Sequence, residues 1–417
     1  MTFFIYQTLI LFIVILSPLI IIYRVLKNKE DKKRFLEKFT IFSKKRDRGN
    51  IVWFHASSVG EVLSIVPLIE KLENNKSIKK ILVTSSTLSS SYIFSKIRLK
   101  KTIHQFFPID LNFFANRFIE YWKPSIAIFV ESEIWPGIFF QLKKKSIPLI
   151  LLNARITKKT FKKWSLISFF SKDIFDSFDF CYPQNNETKK YLKSLGVKNI
   201  KILGNLKFIE STMQKKENLS KNILKNFSSR KIWCASSTHY NEEEFCAIAH
   251  KKLKKKYKNL LTIIIPRHIQ RTKYIYEQIN NMGLKVQTYS SKEKIKKDTD
   301  IYIVDSYGET KSFFKICNTV FLGGSLISRG GQNPLEAVRY GCKILHGPNV
   351  QNFKEIYNLL NKNNLNIKFN NVNQLSIEIQ KSFNKKININ KKINKLKKRG
   401  KEILNNTLNE INYFLKN

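Results

Sequence analysis

No charged residue occurs from Thr2 to Tyr23, a run dominated by Leu, Ile, Phe and Val. That is about the 20 residues a helix needs to cross the hydrocarbon of a bilayer. Pro18 lies inside the run, and helices in lipid tolerate proline. Arg24, Lys27, Lys29, Lys32, Lys33 and Arg34 follow at once. Basic residues flanking an apolar span stay on the cytoplasmic side. The pattern predicts an uncleaved, single-pass anchor over residues 1–26. A secretory signal would carry its charge before the apolar run and end at a small-residue cleavage site; this segment does neither.

From residue 51 short apolar runs alternate with amphipathic stretches. Strands are expected at Ile51–Phe54, Ile81–Thr84, His104–Phe107, Ile126–Val130, Leu149–Leu152, Phe178–Tyr182 and Lys201–Leu203. Helical spacing separates most of them, as at Gly60–Leu72 and Asn112–Trp122. The order restarts with strands at Lys231–Ala235, Leu261–Ile265, Ile301–Val304, Thr319–Leu322 and Lys343–Leu345. Helices are expected at Glu242–Tyr257, Asn333–Tyr340 and Phe353–Asn361. Alternating βαβα order implies parallel sheets covered on both faces. The chain therefore reads as α/β, with two doubly wound units in tandem that bind ligands outside their strand C-termini. The first domain spans 27–212 and the second 213–417, divided in the polar stretch Ser211–Ser229. The tail from Lys385 is rich in Lys and Asn but keeps Ile and Leu at helical spacing. It either packs back across the domains or forms a loose basic helix.

Composition changes this picture in two places. The formal charge is +44 over 417 residues, which admits nucleic acid, a merely solvating lysine surface, or a face toward anionic lipid or an acidic substrate. No arginine-rich arm, zinc-ligand cluster or RNP-type aromatic motif supports a nucleic-acid partner. The five cysteines are scattered, without C-x-x-C, which fits reduced thiols in a cytosolic domain. No clustered His/Asp set suggests a metal, and no cofactor is expected.

Five motifs sit where such sheets place ligands. In His55-Ala56-Ser57-Ser58-Val59-Gly60-Glu61 a strand turns into a helix. The N–H groups at Ser58 and Gly60 can meet a substrate, and Glu61 in the first turn is either catalytic or a complement to the helix dipole. Glu131-Ser132-Glu133 follows a strand, and its two acids either face substrate or cap the helix starting near Pro136. Arg155 after another strand, and Lys207 near the domain boundary, are basic groups able to meet a phosphate or carboxylate. Arg267, followed by His268, leaves a strand of the second domain as a phosphate clamp or a solvated charge. Finally, Gly323-Gly324-Ser325 and Gly330-Gly331-Gln332-Asn333-Pro334-Leu335-Glu336 form a glycine-rich loop. Glycines let a phosphate approach the backbone, while Glu336 suits ribose hydroxyls or simply complements a helix dipole. The loop is neither G-x-G-x-x-G nor a P-loop, so NAD and ATP are not its natural ligands.

Taken in order, HASSVGEV from His55, ESEIWPG from Glu131, LLNARI from Leu151, GNLKF from Gly204, PRH from Pro266, FLGGSLISRGGQNPLEAVRYG from Phe321 and GPNVQNFKEI from Gly347 resemble the 3-deoxy-D-manno-octulosonic acid (Kdo) transferases of lipopolysaccharide synthesis. The resemblance covers almost the whole soluble chain. It implies a GT-B fold, two Rossmann-like domains facing across a cleft, behind an N-terminal transmembrane helix. It implies CMP-Kdo as donor, a tetraacyl lipid A precursor as acceptor, and action at the cytoplasmic face of the cell inner membrane. Glu61 matches the family's general base. Arg267, His268, Gly323, Gly324, Ser325, Gly330, Gly331, Asn333 and Glu336 match its donor side. Ser58, Gly60, Glu131, Glu133, Arg155 and Lys207 match positions near the active site. Gln332 stands where the family usually has His, and Ile209 where it usually has Asp. A GT-B transferase using a UDP-sugar on another lipid shares the loop and the ribose-binding Glu, and a donor assay separates it. A noncatalytic basic membrane scaffold would show no dependence on single carboxylates and no nucleotide binding.

Overall fold

Near-continuous runs such as Ile126–Val130 and Leu260–Pro266 are buried at every position, the signature of strands covered on both faces. The computed structural model describes residues 2–97, 99–211, 219–384 and 390–416. The chain divides into two units: Met1–Gln214 with Lys397–Asn417, and Lys215–Leu396. The expected boundary at 212/213 lies outside the described residues.

Unit 1 opens with α1 (Thr2–Leu26), a helix long and apolar enough to cross a membrane. Then come β1 (Ile51–His55), α2 (Val59–Leu72), β2 (Lys80–Ser85), α3 (Leu88–Ser95), β3 (Thr102–Phe106), α4 (Asn112–Trp122), β4 (Ile126–Val130) and α5 (Pro136–Lys144). β5 (Leu149–Ala154), α6 (Lys158–Leu166), α7 (Ser168–Phe175), β6 (Phe180–Pro183) and α8 (Asn186–Ser194) complete it. The strands form one parallel sheet in the order β3-β2-β1-β4-β5-β6. Connections reverse direction between β1 and β4, so their C-terminal ends form the switch point where such sheets bind ligands. The core beneath is aromatic, with Trp53, Phe118, Trp122 and Phe129 fully buried.

Unit 2 comprises α9 (Lys221–Ser228), β7 (Lys231–Thr238), α10 (Glu242–Lys254), β8 (Leu260–Pro266), α11 (Thr272–Asn281), β9 (Val286–Thr288), β10 (Ile301–Ile303) and α12 (Thr310–Phe314). β11 (Thr319–Leu322), α13 (Leu335–Arg339), β12 (Lys343–His346), α14 (Lys354–Lys362), β13 (Asn366–Lys368) and α15 (Val372–Asn384) follow. Its sheet runs β13-β12-β11-β7-β8-β10-β9, with the switch point between β7 and β11. Trp233, Ile264 and Phe321 lie at the centre of its core.

Three expectations change. Lys201–Leu203 is not a strand; near it only Ile200 bridges Cys181, because the chain runs past β6 without a ladder. The short edge strands β9 and β13 were not anticipated. The tail, assigned above to the second domain, gives Lys397–Asn417 of α16 (Asn390–Lys416) to unit 1. Glu410 takes the Tyr182 hydroxyl at 2.7 Å and Lys201 at 2.5 Å, and Phe414 meets Phe180 edge-on. Gly400 leaves just enough room for the Phe208 carbonyl. The helical Ile and Leu spacing thus faces a folded surface, with Ile403 and Ile411 buried.

The start of α5 sets the loop that follows β4. Trp135 supplies no side-chain cap. Asp110, 27 residues before Gly137, accepts the N–H groups of Gly137 and Ile138 at 2.8 and 2.7 Å. The same carboxylate accepts the Tyr6 hydroxyl of α1 at 2.7 Å. Asp110 therefore does what the capping alternative for Glu131 and Glu133 would have had them do. Asp110→Ala leaves two buried N–H groups unpaired, and an unsatisfied buried group costs about 1–3 kcal/mol. Urea unfolding of the detergent-solubilised variant should show a loss of that size; an unchanged midpoint would remove Asp110 as the organiser of this turn.

Candidate functional site

Three carboxylates gather at the C-terminal ends of β1 and β4. Ser58 caps α2 and Glu61 closes a capping box, the geometry of a reciprocally satisfied helix start. The Glu61 carboxylate accepts the Ser57 N–H at 2.8 Å and the Ser58 hydroxyl at 2.9 Å. Dipole complement and functional acid are thus the same group. Burial chiefly, then the charges of Glu133 and Glu131, raises its pKa to about 7 against these hydrogen bonds. Gly60 beside it is exposed, and a side chain there would meet open space.

Glu133 is held by aromatic and imidazole donors. One of its oxygens accepts Trp135 Nε1 at 2.9 Å and lies 3.1 Å from His55 Nε2. The other His55 nitrogen lies 2.9 Å from the Thr84 hydroxyl, which accepts Trp53 Nε1 at 2.9 Å. With the Thr84 proton directed to Nδ1, His55 is neutral and donates from Nε2 to Glu133. Burial holds the pKa of His55 below its ordinary value, in keeping with that tautomer. Phe107 stacks on the ring at 3.8 Å.

Glu131 is buried in left-handed backbone, φ 58°. It pairs with Lys207 Nζ at 2.6 Å. Its carbonyl accepts the Arg155 N–H at 3.1 Å, and the Arg155 carbonyl accepts the Ser132 hydroxyl at 2.9 Å. Asn153, also left-handed, accepts Leu206 N–H through its side chain at 3.0 Å. These bonds bring the post-β4, post-β5 and Gly204–Phe208 segments together. Glu131, Glu133, Arg155 and Lys207 lie on these segments of unit 1, and Ser58, Gly60 and Glu61 lie at the start of α2 after the adjacent β1. Ile209, at the position where Asp is usual, is buried beside Gly400, an apolar setting that suits isoleucine.

In unit 2 the glycine-rich loop leaves β11. Glu242, at the start of α10, accepts the N–H groups of Gly324, Leu326 and His239 at 2.7, 3.0 and 2.9 Å. Gly323 N–H bonds to Ser236 O and Gly331 N–H to Gly324 O. Those loop N–H groups, expected to meet a phosphate, already have protein acceptors. Gly323 is obligatory, since a Cβ there would strike the backbone of Ser237 and Thr238. The Ser325 hydroxyl donates to Leu322 O and accepts Gly347 N–H. Asn333 accepts Leu335 N–H at 3.1 Å, and partly exposed Glu336 pairs with Lys311 at 3.3 Å. Gly330, left-handed at φ 83°, accepts Asn352 N–H through its carbonyl.

Positive charge here comes from side chains. Arg267 and His268, exposed, leave β8, and the His268 and His239 rings meet edge to face at 5.7 Å. Burial, then the charges of His268, Arg329, Arg267 and Arg271, depresses His239 to about 4. Burial and the same three arginines lower His268. Arg271 is matched by a two-pronged pair with Glu243 at 2.9 and 3.1 Å; no ion pair engages Arg267 or Arg329 among the described residues. Gln332 Nε2 and the His239 ring flank Gly324. His239, Glu242 and Arg329 were missed from the sequence. One signal was available: only thirteen of the 75 basic residues are arginine, and three of them reach this loop. No group of three His, Cys, Asp or Glu side chains is placed to hold a metal among the described residues.

Two Rossmann-like units, each built on a parallel sheet, give the chain a fold of the GT-B class. The fold resembles that of a glycosyltransferase from Rickettsia africae ESF-5, with TM-score 0.57 over 89% of this chain and 100% of that one at 13% identity. The family described as 3-Deoxy-D-manno-octulosonic-acid transferase (kdotransferase) matches residues 33–210. A 3-deoxy-D-manno-octulosonic acid transferase of Rickettsia bellii is 33% identical over 337 residues, 81% of this chain and 80% of the relative. One from Rickettsia prowazekii is 34% identical over 77% of this chain and 69% of its own. The chain belongs to the 3-deoxy-D-manno-octulosonic acid transferase family, glycosyltransferases of lipopolysaccharide biosynthesis.

The raised proton affinity of Glu61 has a consequence for stability. Its ionisation opposes folding, a penalty absent below about pH 4.5 and complete above about 7. Glutamine keeps the shape without the charge. The melting temperature of Glu61→Gln relative to wild type should therefore rise across that window; a flat or falling difference would contradict the buried-acid environment.

Proposed function

We propose that the chain transfers Kdo from CMP-Kdo to a tetraacyl lipid A precursor at the cytoplasmic face of the inner membrane, with Glu61 as general base. The observation that carries this reading is the carboxylate of Glu61 at a strand C-terminus, its pKa raised to about 7 beside Glu131 and Glu133. A base poised near the operating pH is the most effective proton acceptor. The acceptor hydroxyl oxygen attacks the anomeric carbon and its proton passes to Glu61. The bond from that carbon to the phosphate oxygen breaks, and CMP leaves with the electron pair. His55 and Trp135 position Glu133, and Lys207 positions Glu131, so that the field around Glu61 stays fixed.

Unit 2 takes the nucleotide. Arg267 and Arg329 supply the charge that a departing monophosphate requires, a role arginine serves through its forked donors. His239 stays neutral there and is available for hydrogen bonding. Ser325, Asn333, Gly323, Gly324, Gly330 and Gly331 shape the loop, and Glu336 is the candidate for the ribose hydroxyls. The resemblance supplies the identity of the donor and acceptor. A donor assay with CMP-Kdo against UDP-sugars, read by mass analysis of the lipid, tests it.

Glu61→Gln should lower transfer roughly 10²-fold or more, the range for loss of a general base, with CMP affinity unchanged. In the wild type, transfer should fall as pH drops below about 7, because the protonated acid cannot accept a proton. Near-wild-type turnover in the variant would leave Glu131 or Glu133 as the base. Arg267→Ala and Arg329→Ala should each weaken CMP binding several-fold to a hundred-fold, about 1–3 kcal/mol for a charge-assisted hydrogen bond. Calorimetry showing unchanged affinity in both would remove the arginines from the nucleotide site.

A further inference from the structure

The last helix reaches the segment that holds Glu131. Gly400, Ile403, Thr407 and Ile411 are buried and recur every three or four residues, one face of α16. Along its later turns this face grips the edge of the sheet: Glu410 accepts the Tyr182 hydroxyl, and Phe414 meets Phe180. Asn412 accepts Asn75 Nδ2 at 3.0 Å. The earlier turns, from Arg399 to Ile403, lie against Gly204–Phe208. There backbone meets backbone. A Cβ at Gly400 would strike the Phe208 carbonyl, and Ile209 Cα would lie 3.5 Å from it. Gly204 is left-handed at φ 109°, and a Cβ on it would lie 2.7 Å from Ile403. The Arg399 guanidinium lies over the Phe208 ring at 5.0 Å.

What rests on that contact is a stiff turn. Phe208 N–H donates to Asn205 O at 3.0 Å, and Ile209 N–H to Leu206 O at 2.9 Å. Lys207 N–H donates to the Asn205 side chain at 2.9 Å. Bound this closely, the turn shifts as one piece, and Lys207 goes with Phe208. The side chains of Asn153 and Gln184 hold the same turn at Leu206 N–H and Asn205 Nδ2, at 3.0 and 2.7 Å. Lys207 Nζ meets Glu131 at 2.6 Å, with its side chain only 13% exposed. In packing that close, the ammonium has little freedom to follow Glu131 when the turn moves. Glu131 is one of the two charges that act on Glu61.

We propose that Gly400 is a positioning residue for the transfer reaction: by omitting a side chain it lets α16 back the Lys207 turn, and Lys207 holds Glu131 beside the reacting acid. Arg399 and Ile403 complete the backing. All three act through Lys207 and not on the substrate. The inference rests on the reading of Glu61 as general base, and its test separates the two.

The test is a double-mutant cycle in the full-length, detergent-solubilised enzyme, read as kcat and KM for Kdo transfer from CMP-Kdo to tetraacyl lipid A precursor. Gly400→Ala should lower kcat roughly 10- to 100-fold, the scale for a small displacement of a supporting group, with KM for CMP-Kdo unchanged. Lys207→Met should lower kcat as well. In the Lys207→Met background, Gly400→Ala should change kcat by less than about twofold, since residues that act as a unit are not additive. Losses that multiply in the double variant, or a wild-type kcat in either single variant, would overturn the proposal. Tyr182→Phe loosens the other half of the same helix face by removing its bond to Glu410. It should lower the melting temperature and leave kcat unchanged. A kcat loss equal to that of Gly400→Ala would mean general loosening of unit 1, and would also overturn the proposal. Should Gly400→Ala not fold, Arg399→Gln, which adds no atom at the backbone contact, goes through the same cycle with the same outcomes. A near-wild-type rate for Glu61→Gln in this assay would remove the base and leave the cycle between Gly400 and Lys207 as decisive as before.

Discussion

Ionising Glu61 means placing a third negative charge beside Glu131 and Glu133, and the end of the first sheet is arranged to keep those two where they are. Glu133 cannot swing away, because Trp135 and His55 both donate to one of its oxygens. His55 cannot rotate, because Thr84 holds its other nitrogen and Phe107 stacks on its face. Thr84 is in turn fixed by Trp53 from the adjacent strand. The chain of bonds ends in fully buried aromatic core, so positioning of the acid draws on the packing that stabilises the sheet. Glu131 is steadied differently, by Lys207, and its left-handed backbone is the bend that brings both acids to one side of the turn. A buried carboxylate left without such partners would take up a proton or unfold its surroundings. Here the partners keep two acids in place and leave the third with the high proton affinity.

The second unit uses a buried acid for the opposite purpose. Glu242 satisfies three backbone N–H groups from two segments, although burial raises its pKa. The loop after β11 is thereby fastened to the start of α10. A loop fastened by its own backbone has fewer donors to offer, and this explains why charge around it is carried by arginine. Glu243 neutralises Arg271. Burial first, and then the neighbouring arginines, lower the proton affinity of the two imidazoles beside Arg267 and Arg329.

Much of the fold was legible because fully buried parallel strands read as unbroken apolar runs; Ile126–Val130 and Thr319–Leu322 have the boundaries that the pattern gives. The edge strands β9 and β13 are three residues long, too short for any period to register. The glycine-rich segment was legible as a loop, but its helix is only Leu335–Arg339, entered through a turn in which the Asn333 side chain accepts the Leu335 N–H. Glu61 and the paired acids stood out by lying just past strands. Asp110, Thr84 and Glu242 did not, because each acts on residues 27, 29 and 82 positions away. Such partnerships leave no trace in local spacing. The tail was ambiguous for the same reason: its apolar stripe is local, but the surface that accepts it is assembled from residues some 200 positions earlier.

Composition misleads on charge in an instructive way. A chain with 75 basic residues makes any one of them look incidental, and for most lysines the solvated surface is sufficient explanation. Arginine differs. Its fork binds a planar oxyanion through two parallel bonds and it never loses its proton, whereas lysine is a flexible point charge. Several of the thirteen arginines use that fork within the protein. Arg34 grips Glu37 and the His104 carbonyl beneath the first sheet. Arg230 ties the carbonyls of Leu260 and Thr299, and Arg271 takes both oxygens of Glu243. Each of these has a forked or multiple protein acceptor. Arg267 and Arg329 have the same chemistry and lie beside the same loop, and among the described residues neither is paired with a carboxylate. In the proposed function their acceptor is the departing monophosphate, whose oxygens suit the forked donor.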